Sequence, residues 1–88
     1  MSKRSEPYSI IIKALTDARL SKPMHQAELA KLWGGKKQPT ITKIEQGERR
    51  IDVQEFLELC VLLDLDPTDL IRKAHNALKA ELKIGSGR

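Results

Sequence analysis

Several residue types that would permit other folds or chemistries are scarce in this chain. Its 88 residues include one cysteine and two histidines. One cysteine excludes an internal disulfide framework, and so few Cys and His side chains cannot form a metal-ligand cluster. We therefore expect no metal, no cofactor, and a fold stabilised by helix packing, either alone or together with dimerisation.

Aromatic residues and long apolar runs are also scarce. Phe, Tyr and Trp occur once each. This argues against binding of RNA or single strands, because those modes use aromatic side chains as stacking platforms. The apolar run at residues 8–12 is too short for a signal-peptide core or a membrane span. We expect the protein to stay in the compartment where it is made, the cytoplasm.

The charged residues are unevenly distributed along the chain. Residues 1–50 contain eleven Lys and Arg against five Asp and Glu, and residues 51–88 contain five against seven, giving local charges of +6 and −2. A basic portion of this kind is typical of a surface that binds a polyanion. An ordinary solvated surface with uneven charge would give the same counts.

Every periodic segment predicts α-helix, and no alternating β-branched run predicts a strand. We expect an all-α fold in one domain over residues 1–88, with five helices and a helical core at 8–72. The first helix is predicted at 7–19. Its positions at helical spacing are Tyr8, Ile11, Ile12, Leu15 and Arg19.

Two short helices joined by a glycine turn follow, at 26–33 and 38–46. Gly34 and Gly35 end the first of them, because glycine tolerates the positive φ angles of a tight turn. Pro39 is compatible with the second helix only in its first turn. The predicted inward positions are Leu29, Ala30, either Leu32 or Trp33, Ile41 and Ile44. Two such helices predict a helix-turn-helix at 26–47, whose second helix enters the major groove of DNA.

Two further helices have clear start signals. Asp52 and Glu55 have the spacing of a capping box, and Pro67 suits a first turn. The predicted apolar positions are Val53, Phe56, Leu57, Cys60 and Leu63, then Leu70, Ile71, Ala74, Leu78 and Leu82. The last helix, at 67–83, is longer than a four-helix core needs. It forms either a dimer interface or a segment folded back on the core, and residues 84–88 are expected to fray.

One stretch of sequence carries a family resemblance. Gln26-Ala27-Glu28-Leu29-Ala30, then glycine, then residues 41–50 (ITKIEQGERR) closely resemble the XRE family, the phage-repressor or Cro-like helix-turn-helix proteins. Arg19 and Met24 upstream, and residues 56–59 and 65–67 downstream, extend the resemblance over residues 12–72. It implies a phage-repressor-like fold that binds double-stranded DNA in a prokaryotic or phage setting, associated with the nucleoid.

The resemblance also implies roles for individual side chains. Base edges would be read by Gln38, Thr40 and Lys43, and Pro39 would offer an apolar contact such as one to a thymine methyl. Phosphates would be held by Gln26, Lys36, Lys37, Arg49 and Arg50. The four cations in that set are otherwise ordinary surface charge, and the Thr40 hydroxyl is equally suited to bonding the backbone.

Other residues are expected to be structural, and some depart from the family. Glu45 would repel phosphates, so we expect it to hold the following turn or pair with an arginine such as Arg19. His25 replaces the usual cap residue, and Cys60 and Trp33 are expected in the core. The spacing from Leu29 to Ile41 is one residue longer than usual, which Gly34-Gly35 would absorb.

These residues bear on three classes of function. The leading hypothesis is a transcriptional regulator, a repressor that binds a palindromic operator as a homodimer through the C-terminal helix. The alternative is an antitoxin or restriction-control type of protein whose main partner is another protein. An enzyme is disfavoured, because the sequence contains no nucleophile–base–acid set and no strand before Gly34-Gly35 to form a phosphate-binding loop.

Overall fold

The computed structural model describes residues 6–82 and contains five helices and no strand within that range. The helices are α1 (Glu6–Ser21), α2 (Gln26–Leu32), α3 (Gln38–Glu45), α4 (Val53–Leu63) and α5 (Pro67–Leu82). This confirms the all-α prediction and the order of the elements. The predicted frayed tail at 84–88, and position 83 of the last helix, lie outside the described residues.

The helix boundaries lie within two residues of the predicted ones, and local signals account for several of them. The Asp52 carboxylate accepts from the Glu55 backbone N–H at 2.8 Å, and Glu55 accepts from the Asp52 N–H at 3.0 Å, so the capping box of α4 is complete. Asp64 ends α4 with φ of 61°. Gly34 and Gly35 have φ of 69° and 76°, which is why the turn after α2 requires glycine.

The core lies where α1, α2, α3 and α4 meet. Ala30 has no exposed surface. Its small side chain permits the close approach of α2 to its neighbours. Trp33, rather than Leu32, is the buried residue at the end of α2. The other buried apolar residues of these helices are Ile12, Leu15, Leu29, Ile41, Ile44, Phe56, Leu59, Cys60 and Leu63. Burial raises the pKa of the Cys60 thiol, in keeping with its expected place in the core.

The predicted apolar stripe of α4 was wrong in two positions. Val53 and Leu57 are 75% and 45% exposed, and Leu59, which the prediction omitted, is buried. The residues that do face the core are Phe56, Leu59, Cys60 and Leu63, which also follow the i, i+3, i+4, i+7 spacing. The predicted and the observed sets share Phe56, Cys60 and Leu63. Periodicity alone therefore does not determine which side of α4 packs against the other helices.

The last helix folds back along the chain. Helix α5 packs against α1, with Leu70 and Ala74 buried. At its far end the Glu6 backbone N–H donates to the Glu81 carboxylate at 3.3 Å. Three of its predicted apolar positions, Ile71, Leu78 and Leu82, are exposed instead. Of the two expectations for this helix, packing on the chain's own core is therefore confirmed.

Candidate nucleic-acid interface

A buried ion pair fixes α3 against α1. Arg19 Nε donates to Glu45 Oε2 at 2.7 Å, and Arg19 Nη2 donates to Glu45 Oε1 at 3.0 Å. The two side chains are only 9% and 12% exposed. Arg19 Nη1 also donates to the Met24 carbonyl oxygen at 2.7 Å, which ties down the segment before α2. The expected pairing of Glu45 with Arg19 is confirmed, and the carboxylate is directed into the protein.

The start of α2 joins the same cluster through Gln26. The Gln26 Nε2 donates to Glu45 Oε1 at 2.8 Å, and its Oε1 accepts from the Thr42 hydroxyl at 2.6 Å. Gln38 Nε2 lies 3.4 Å from the same oxygen. Gln26, expected to hold a phosphate, thus has its side-chain amide engaged within the protein. Glu28 accepts from the His25 backbone N–H at 2.7 Å, whereas the His25 side chain forms no cap hydrogen bond to the first turn of α2.

Helix α3 presents most of the predicted base-reading residues on one surface. Its N-cap is Lys37, and Pro39 lies in the first turn, as predicted. Gln38, Pro39 and Lys43 are exposed and line one open depression, whereas Thr40 is half-buried and does not line it. The other residues that line this depression are Thr42, Gln46 and Glu48. Thr42 was not singled out from the sequence, although it lies one helical turn after Gln38.

The predicted phosphate-binding cations divide into two groups. Arg49 Nη2 lies 3.0 Å from Glu55 Oε2, and the Arg50 guanidinium stacks over the Tyr8 ring with 5.0 Å to its centroid. Lys36 Nζ lies 4.4 Å from the centroid of the Trp33 ring. Each of these three cations therefore contacts another side chain of the protein. By contrast, Lys37 forms no salt bridge with any residue in the 6–82 range, and neither does Lys43, which was predicted to face bases.

Two acidic residues of α4, Glu55 and Glu58, accept hydrogen bonds from residues at the ends of α3 and α2. The hydrogen bond from Arg49 and that from the Asp52 backbone hold the pKa of Glu55 below its usual value. The Trp33 indole Nε1 donates to Glu58 Oε1 at 2.7 Å, and this bond, with one from Gln54, lowers the pKa of Glu58. The Trp33–Glu58 contact was not predicted, because it joins residues 25 positions apart on different helices.

These features define a class of protein. Two short helices crossing at a fully buried alanine, a two-glycine turn, and an exposed polar face on the second helix together form a helix-turn-helix domain. A Helix-turn-helix family model matches residues 15–70, most of the chain. The protein belongs to the XRE family of helix-turn-helix DNA-binding proteins.

No curated protein and no solved structure gives a significant match to the chain. Across the described part of the chain, no helix combines the length and the apolar character needed to cross a membrane.

Proposed function

We propose that this protein is a sequence-specific transcriptional repressor that binds double-stranded DNA with α3 in the major groove. The observation that carries the proposal is the placement of Gln38, Pro39 and Lys43, which are exposed together on one face of α3. Amide and ammonium groups suit a groove that is rich in base acceptors and bordered by phosphates. Thr40, half-buried beside them, contributes a hydroxyl at the edge of this face.

The cations around α3 are assigned to the DNA backbone. Lys37 precedes the helix, and Arg49 and Arg50 follow it, so they lie on either side of the reading face. The contacts of Arg49 with Glu55 and of Arg50 with Tyr8 restrict both guanidinium groups before DNA arrives, which reduces the entropy lost on binding. Lys36 on Trp33 is restricted in the same way, and Gln26 supports the interface from the start of α2.

We further propose that the repressor acts as a cytoplasmic homodimer on a palindromic operator. The two recognition helices would lie about 34 Å apart, one turn of DNA. Ile71, Leu78 and Leu82 repeat at helical spacing on α5 and are exposed, which supports self-association through this helix. Blocking of polymerase at the bound site is the simplest mechanism of repression.

A second candidate is a module whose main partner is another protein, as in an antitoxin or a restriction-control protein. The outward side of α4 favours it, because Val53, Leu57 and Val61 are exposed at four-residue spacing. An apolar stripe of this kind on a small domain is a feature of binding surfaces. A partner that co-purifies with the protein and competes with DNA would favour this candidate.

The decisive experiment is a binding selection from random duplexes with the purified protein, followed by footprinting of the selected site. Lys43→Ala should weaken binding to the selected site by about 1–3 kcal/mol and relax the base preference at one position. Arg49→Ala should weaken all duplexes about equally and reduce the salt slope by about one unit. Lys13→Ala on α1, where Lys13 pairs with Asp17, is the matched control and should leave both properties unchanged.

Two results would contradict the proposal. If no duplex sequence were enriched, the protein would not be a sequence-specific DNA binder. If the Lys43 and Arg49 variants lost affinity in the same way, the assignment of base and phosphate contacts would be wrong. A monomer in sedimentation at micromolar concentration, with a footprint of one half-site, would refute the dimer.

A further inference from the structure

One acidic side chain lies among the residues that line the depression on α3. Glu48 lines it together with Lys43 and Gln46, and its side chain is exposed. The backbone fixes this position, because the N–H groups of Glu48 and Arg49 both donate to the Lys43 carbonyl oxygen, at 2.8 and 3.2 Å. Gly47 permits the turn with a φ of 81°. Glu48 is therefore fixed next to Lys43 where α3 ends.

The neighbouring acids differ from Glu48 because each has a cationic partner. Glu45 pairs with Arg19 at 2.7 Å. Glu55 pairs with Arg49 at 3.0 Å. The Glu48 carboxylate, in contrast, forms no salt bridge with any residue that the structure describes. Within that part of the chain no cation neutralises its charge, and it lies on the surface that DNA would cover.

A carboxylate on this surface discriminates between the groups of DNA, because an ionised carboxylate can only accept hydrogen bonds. Phosphate oxygens are negatively charged and repel it, and the O6 and N7 atoms of guanine are acceptors as well. The major groove offers two donors, the N4 amino group of cytosine and the N6 amino group of adenine. A sequence that places one of these amino groups at Glu48 gives the carboxylate a partner. Any other sequence leaves a desolvated charge unpaired.

We propose that Glu48 is a specificity-determining residue, which accepts from an exocyclic amino group of cytosine or adenine and lowers the affinity for DNA that lacks this group at that position. The inference rests on the proposed function, because it assumes that α3 lies in the major groove. Glu48 acts mainly by repulsion, whereas Lys43 beside it attracts DNA. Specific interfaces commonly combine an attractive contact with a repulsive one.

The test compares variants of Glu48 in the full-length protein. Glu48→Gln and Glu48→Ala remove the charge, whereas Glu48→Asp keeps it. Asp64→Asn is the matched control, because it removes the same charge at the far end of the 11-residue helix α4, about 16 Å from the start of that helix. The Asp64 side chain is 89% exposed, and asparagine tolerates its φ of 61°. Circular dichroism verifies that each variant keeps its helices.

The first readout is affinity for random duplex at low ionic strength. Glu48→Gln and Glu48→Ala should bind about threefold or more tightly than the wild-type protein, since a phosphate about 6 Å from a carboxylate repels it by roughly this factor in water. Glu48→Asp and Asp64→Asn should bind as the wild type does. This gain distinguishes a repulsive residue from an ordinary base contact, whose loss would not strengthen binding.

The second readout is base preference, measured after replacing every base pair of the selected site in turn. At one position the wild-type protein and Asp64→Asn should prefer cytosine or adenine over guanine and thymine by about fivefold or more, as expected for one base contact. Preference for cytosine alone or for adenine alone identifies the amino group. Glu48→Ala should reduce this preference to about twofold or less.

Each outcome decides a separate point. Unchanged affinity for random duplex in Glu48→Gln, or an equal gain in Glu48→Asp or Asp64→Asn, would overturn the inference and leave the proposed function intact. Wild-type preference at every base pair in Glu48→Ala would overturn it too. A wild-type protein that selects no sequence would refute the proposed function and the inference together.

Discussion

Replacement of Arg19 by methionine removes the cation that neutralises Glu45 inside the protein. Arg19 makes two hydrogen bonds to this carboxylate and one to the Met24 carbonyl, at 2.7–3.0 Å. Methionine fills much of the same volume, so the main loss is electrostatic and not a cavity. The carboxylate, 12% exposed, would keep only the hydrogen bond from Gln26.

The expected loss of stability follows from this geometry. Breaking a buried ion pair by removing one partner costs about 3–5 kcal/mol, because a buried charge is left uncompensated. We expect the lower end of that range, since Gln26 still donates to Glu45 and the small exposed fraction admits water. For a domain of this size, about 3 kcal/mol corresponds to a fall in Tm of about 12–24 °C.

The assay is urea and thermal unfolding followed by far-UV circular dichroism. Arg72→Met is the control, because the Arg72 and Asp69 side chains are 64% and 58% exposed and such a pair contributes about 0–1 kcal/mol. The double variant Arg19→Met with Glu45→Leu should recover at least half of the loss, since no buried charge remains. An Arg19 variant as stable as the Arg72 control, or a double variant worse than the sum of its single changes, would refute this reasoning.

Two further predictions concern the turn after α2 and its anchor. The hydrogen bond from Trp33 holds the pKa of Glu58 below its usual value, so the stability that this bond provides is present above the usual carboxyl pKa and is lost as pH falls through the lowered value. Glu58→Gln should therefore flatten the acid side of the stability curve in urea melts followed by Trp33 fluorescence, and a curve parallel to the wild type would contradict this. Gly34→Ala should lower the free energy of unfolding by about 1 kcal/mol, because Gly34 has a φ of 69°, which strains an alanine backbone. Crowding does not contribute, since an added Cβ would meet no atom within 4 Å. Gly34→Asn should cost less because asparagine tolerates this conformation, and equal losses in denaturant titrations would rule out the backbone explanation.

The sequence by itself determined the features that depend on neighbouring residues. The capping box of Asp52 and Glu55 and the glycine turn act within a few residues, so their signals are visible in the chain. The position of Pro39 in a first turn is local for the same reason. The pairing of Glu45 with Arg19 was one of two expected roles for this residue, because an acid beside phosphates would be repelled.

Only the tertiary structure decided which side of each helix meets another part of the molecule. Periodicity defines the angle between residues around a helix axis, but not the flank that a neighbour covers. The exposure of Val53 and the burial of Leu59 in α4 therefore could not be predicted. For α5 the sequence left two arrangements open, and only the structure showed that it packs on α1. The same holds for the link from Thr42 through Gln26 to Gln38, because it joins α2 to α3 across the glycine turn. Such contacts depend on how whole helices are placed, and that placement is set by the packing of the entire core.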